Sequence, residues 1–159
     1  MLNAYGEDFK IIAIGCDHAG FDLKNIIIKY LEQHNFIYKD YGTYDKNSCD
    51  YPDYAKLVCE SIINNKSKFG VLMCNTGIGI SICANKFSGI RAALCNNSFV
   101  ARMSREHNDA NVLALGAGVI GKDLALDILK TFLQTNFSDE LRHVKRIDKI
   151  KKLENKISE

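Results

Sequence analysis

The stretch "FGVLMCNTGIGISICANKF", Phe69 to Phe87, joins three kinds of pattern in nineteen residues. Phe69 to Cys74 is an apolar run too short for a helix and flanked by glycine, the pattern of a buried strand. Gly77 and Gly79 then punctuate a tight turn. From Gly79 to Phe87 apolar residues recur at helical spacing. A strand, a glycine turn and a helix in that order form half of a βαβ unit.

Working outward, the same alternation recurs. Residues 9–15, 36–42, 89–95 and 111–116 read as strands. Residues 21–35, 52–65, 97–108 and 122–136 read as helices. Asn35 is a stop for the first helix, and Pro52 suits the first turn of the second. Five strands alternating with helices predict an α/β fold with a parallel sheet. Residues 137–159 read as one more helix, capped by Ser138, with Asp139 and Glu140 at its positive end. Leu141, Val144, Ile147, Ile150 and Leu153 form a stripe on it that needs a partner surface. No linker or repeat divides the chain, so residues 1–159 are expected to form one domain.

Composition narrows the function. The chain has 159 residues, 47% of them hydrophobic, enough for a sizeable core, and a net charge of +2. That near balance argues against a nucleic-acid binder. No apolar run is long enough to cross a bilayer, so no membrane role is expected. Six cysteines occur at 16, 49, 59, 74, 83 and 95, with no CxxC pair and no zinc-type spacing. Most of them read as small buried residues in a reducing, cytoplasmic compartment. No metal is expected.

Ligands of open parallel sheets bind beyond the carboxyl ends of the strands. There the chain places Asp17 and His18 in "GCDHAG", and "CNTGIGIS" from Cys74 onward. Asp17 or His18 could equally cap a helix start. The glycine loop lets a backbone approach a ligand, although it is neither a dinucleotide fingerprint nor a Walker loop. Cys74 is the residue a packing turn does not need. A thiol ahead of a helix N-terminus can serve as nucleophile or as carbon-acid base. His107 lies near a helix end. Arg142 and Arg146, four apart, share a helix face that suits a phosphate, or simply solvent.

Together "GCDHAGF", "DYPDYA", "CNTGIGISICANKFSGIRAALC", "SREHNDANVLALG" and "RHVKRI" resemble the type B ribose-5-phosphate isomerases. That superfamily also holds galactose-6-phosphate and allose-6-phosphate isomerases. The resemblance runs from Ile11 to about Ile147. It implies a three-layer Rossmann-like fold with strand order 2-1-3-5-4, and a homodimer or dimer of dimers that shares its sites. It implies a cofactor-free interconversion of ribose 5-phosphate and ribulose 5-phosphate, in the non-oxidative pentose phosphate pathway. Residue by residue, Cys74 matches the base at C2. Asn75, Thr76, Gly77, Ile78 and Gly79 match the anion hole for the enediolate, with Thr76 in the catalytic group. Asp17, His18 and Tyr51 match sugar contacts. His107 matches the ring-opening acid and Asn108 its neighbour, both reaching in from a partner subunit. Arg142 and Arg146 match the phosphate clamp.

Three departures stand out. Ile80 occupies the position where one branch carries a glutamate base. Gly118 stands where many members place a phosphate-binding arginine. Asn75 replaces a usual glycine. The alternatives are a hexose 6-phosphate isomerase and a non-catalytic sugar-phosphate-binding protein.

Overall fold

The computed structural model describes residues 11–156. Phe9 and Lys10, read as the start of the first strand, lie outside that range. Five strands, β1 (Ile12–Cys16), β2 (Tyr38–Asp40), β3 (Phe69–Cys74), β4 (Ala92–Leu94) and β5 (Val112–Gly116), form one sheet. All pairings are parallel, in the order β2-β1-β3-β5-β4 implied by the resemblance. Six helices connect and flank them: α1 (Phe21–Gln33), α2 (Tyr51–Ile63), α3 (Ile78–Ala84), α4 (Ser98–Asn108), α5 (Lys122–Gln134) and α6 (Leu141–Lys156).

The three layers follow from alternation along the central strands. Ile12, Ile14 and Cys16, Val71 and Met73, and Leu113 and Leu115 face α1, α4 and α5. Ala13, Leu72 and Cys74, and Val112 and Ala114 face α2 and α3. Both faces are apolar, as a covered parallel sheet requires. The α2 face uses small residues because α2 lies close. A Cβ on Gly70 would fall 2.7 Å from Val58 Cγ1.

Asn35 and Pro52 act as read. Asn35 sits at φ 57 just past α1, and Pro52 lies in the first turn of α2. Asn97 caps α4 by accepting a hydrogen bond from the Val100 N–H at 2.9 Å. The Ser138 reading is corrected. The chain turns at Asp139, φ 54, and α6 starts only at Leu141. The apolar stripe on α6 is only partly covered within the chain. Steps of three residues fall short of the 3.6-residue turn, so such a stripe winds around the helix. His143 and Ile147, four apart, are buried, whereas Leu141 is 86% exposed. The far end of α6 is tied down by Glu154, whose carboxylate accepts from Ser88 Oγ and the Gly89 N–H, both at 3.0 Å.

Strands β2 and β4 are the sheet edges and are shorter than their apolar patterns. On β4, the Asn85 side chain accepts from the Ala92 N–H (2.8 Å) and donates to the Ala92 carbonyl (2.9 Å). Beside β2, Lys24 is buried on the apolar face of α1. Its ammonium donates to Asp40 at 2.7 and 2.8 Å and to the Thr43 carbonyl at 2.5 Å. This bracket secures the start of the loop after β2, which carries site residues at its far end.

Candidate active site

The site is built at the carboxyl ends of β1, β3 and β5. Cys74 ends β3 and is 5% exposed. Its sulfur accepts a hydrogen bond from the Gly77 N–H at 3.1 Å. The turn closes this tightly because Gly77 adopts φ 75, a left-handed angle that glycine alone takes without strain. Thr76 Oγ1 accepts from the Ile78 N–H at 3.3 Å. The first N–H groups of α3 fall outside its helical ladder and face the turn. Tyr51, first residue of α2, lies over this cradle. A Cβ on Gly79 would sit 2.7 Å from the tyrosine Cζ and 2.8 Å from its hydroxyl. Glycine at 79 therefore makes room for the Tyr51 ring.

Asp17 performs the capping that the sequence left open. Its Oδ1 accepts from the Ala19 and Gly20 N–H groups at 3.0 and 3.1 Å. His18 Nδ1 lies 3.2 Å from both the carbonyl and the N–H of Cys49, at the end of the loop that Lys24 secures. A cavity of about 250 Å³ opens beyond β3, β4 and β5, lined by Thr76, Ile78, Leu94, Asn96, Gly116 and Val119 among others.

Three other cysteines, Cys16, Cys59 and Cys95, lie buried in the core. Burial pushes the Cys16 and Cys59 thiols up to about 12 and Cys95 to about 11. These stay protonated near neutral pH and serve the core. All six cysteines are free. Among the described residues no group of His, Cys, Asp and Glu could hold a metal ion. Nor is any helix there long and apolar enough to cross a membrane.

A second cluster lies at the opposite edge of the sheet. Helix α4 runs back from the carboxyl edge and delivers His107 and Asn108 beside the start of β5. The Arg91 Nε–H, just before β4, donates to the Asn108 carbonyl at 3.0 Å. From Val112 to Gly116 the strand rises roughly 13 Å, at about 3.3 Å per residue. His107 of one chain therefore lies far from Cys74 of the same chain. It is instead beside α6. The His107 and His143 rings stack with centroids 4.3 Å apart and planes 10° apart. Arg142 is exposed and pairs with Glu140 at 2.7 Å.

His143 is a residue the sequence reading passed over. It sits between Arg142 and Arg146 in "RHVKR", yet it is the one turned inward, 3% exposed. Among the described residues its buried Nε2 has no hydrogen-bond partner. Desolvation by burial, then His107 and the flanking Arg142 and Arg146, lower its proton affinity, against an opposing pull from Glu140. The unfolded chain, with an ordinary histidine near 6.5, then binds more protons than the native one. Stability is full above about pH 6.5 and falls as pH drops below it. Melting temperature is expected to decline from pH 7.5 to 5.5, and His143→Phe, which keeps a ring to stack, should flatten that part of the profile.

Comparison with known proteins places this geometry. The family model described as Ribose/Galactose Isomerase matches residues 12–150. The chain belongs to the ribose/galactose isomerase family. It is 43% identical over 145 residues to ribose-5-phosphate isomerase B of Escherichia coli, covering 91% of this chain and 97% of that protein. It is 45% identical over 128 residues to D-erythrulose-4-phosphate isomerase of Pectobacterium atrosepticum, covering 79% and 84%. Among solved structures, ribose-5-phosphate isomerase B of Clostridium thermocellum superposes with a TM-score of 0.91 at 49% identity, covering 92% of this chain and 99% of that one. The α/β architecture is thus that of a family of isomerases, and the alternative of a non-catalytic binding protein loses ground to it.

Proposed function

We propose that this chain is an aldose–ketose isomerase of sugar phosphates, with ribose 5-phosphate and ribulose 5-phosphate as its pair. The observation that carries the reading is Cys74, held by the Gly77 N–H at the mouth of a backbone cradle. Isomerisation moves one proton between adjacent carbons through an enediolate. Cys74 takes the proton from C2 and returns it to C1, while the proton of the C2 hydroxyl passes to the C1 oxygen. The N–H groups of the turn stabilise the oxyanion, which pre-placed donors do well. Ile80 has no titratable group to share the base role. Asp17, His18 and Tyr51 surround the sugar.

The separation of His107 from Cys74 supports a site shared by two copies of the chain. His107 and Asn108 of one copy would open the sugar ring above Cys74 of the other. Arg142 and Arg146 would clamp the phosphate, as charge-assisted donors suit. Ile78, Ile82, Leu94, Phe99 and Val119 are exposed apolar side chains on or near the carboxyl edge, a surface for a second copy.

Relatives at similar identity carry names for four- and five-carbon substrates, so sugar length is what the assay must discriminate. The test is isomerisation of erythrose 4-phosphate, ribose 5-phosphate, allose 6-phosphate and galactose 6-phosphate by the purified chain. The highest kcat/KM is expected for ribose 5-phosphate. A preference for another sugar would reassign the substrate, and no turnover of any would retire the isomerase reading.

A further inference from the structure

The residues at 75 and 118, both unusual for the resemblance, touch each other. The turns after β3 and β5 are stitched together: the Ala117 N–H donates to the Cys74 carbonyl at 2.9 Å, and the Gly118 N–H to the Asn75 carbonyl at 2.8 Å. A Cβ on Gly118 would fall inside van der Waals contact of Asn75 Oδ1 and 3.3 Å from Asn75 Cγ. Gly118 does not adopt a left-handed backbone angle, and neither does Asn75. A side chain at 118 would displace the Asn75 amide from the space that Gly118 leaves open. Among the described residues this amide makes no hydrogen bond of its own. It is exposed, directly after Cys74, at the mouth of the cradle.

We propose that Asn75 and Gly118 form one specificity element, in which Gly118 leaves room for the Asn75 amide to hydrogen-bond a hydroxyl of the sugar. An uncharged amide offers both a donor and an acceptor, which matches a hydroxyl. A phosphate only accepts and is better served by guanidinium groups, of which the chain presents Arg142 and Arg146. The proposal rests on the isomerase reading for its substrate, but the contact between the two residues stands apart from it.

A double-mutant cycle tests both parts, using Gly118→Ala, Asn75→Ala and the double variant. Melting temperature reads the contact. Gly118→Ala should lower it in the native background and change it little beside Asn75→Ala. Steady-state kinetics read the use of the contact. Each single variant should raise the KM for ribose 5-phosphate roughly five- to tenfold, the scale of one hydrogen bond, with kcat nearly unchanged. The double variant should be no worse than Asn75→Ala. Inhibition by inorganic phosphate should be the same in Asn75→Ala as in the parent. Multiplicative effects on KM, or additive ones on melting temperature, would overturn the coupling. Weakened phosphate inhibition would overturn the hydroxyl assignment. Absence of turnover in the parent enzyme would instead count against the isomerase reading, with the melting-temperature cycle still deciding the contact.

Discussion

Cys74→Ser is expected to abolish isomerisation while leaving substrate binding within a few-fold of the parent. Sulfur to oxygen keeps an acceptor for the Gly77 N–H and nearly the same volume at a site only 5% exposed. The fold should therefore hold. What is lost is the acidity of the thiol, because a serine hydroxyl does not release its proton near neutral pH. A positioned general base contributes typically 10²–10⁴-fold, so kcat should fall by roughly that factor or more. Proton exchange between solvent deuterium and C2 of the sugar should disappear with it. Cys74→Ala should match in rate and lose somewhat more stability, since it leaves the Gly77 N–H without its acceptor. Exchange that persists in either variant would move the base elsewhere in the cradle.

His107→Ala is the second large effect, and its signature is asymmetry. Ribose 5-phosphate exists mainly as a closed furanose, whereas ribulose 5-phosphate has no hydroxyl placed to close one. Loss of a ring-opening acid should slow turnover of ribose 5-phosphate by about 10²-fold. Turnover of linear ribulose 5-phosphate to the open aldose should be much less affected. The variant also provides a test of shared sites. Mixing Cys74→Ser with His107→Ala subunits, both nearly inactive toward ribose 5-phosphate, creates hybrids in which one of two sites has both residues intact. Random reassortment into dimers should restore about a quarter of the native rate. No recovery after verified exchange would place Cys74 and His107 in the same chain's site, against the roughly 13 Å of strand between them.

The sequence carried the architecture because the determinants are local. Apolar runs, Gly77, Pro52 and Asn97 each act within a few residues of their own position. Strands β2 and β4 came out shorter than their patterns because pairing on one side alone sustains fewer residues at a sheet edge. Cys74 stood out in the sequence because its type was out of place in a turn. Lys24 and His143 did not. A lysine on an apolar face and a histidine between two arginines reveal nothing until Asp40 and Thr43, or His107, are brought beside them from elsewhere in the chain. The same holds for Asn75 and Gly118, which are 43 positions apart in sequence and adjacent in space. The α6 stripe is buried only at Ile147 within the chain for a geometric reason: spacing by three alone does not define a single face.

The clasp of Asn85 on Ala92 bears on what the β4 edge can pair with. An open strand edge is a template that any extended peptide can copy, its own unfolded relatives included. On β4 the outward N–H and C=O of Ala92 are already occupied by a side-chain amide. Strand addition there would first have to evict Asn85. Any association is thereby steered from backbone pairing, which is blind to sequence, toward side-chain surfaces such as Ile82 and Phe99, which are not. Asn85→Ala is a change of one residue on the surface, yet it would reopen the indiscriminate route and leave the choice of partner less to evolution and more to concentration.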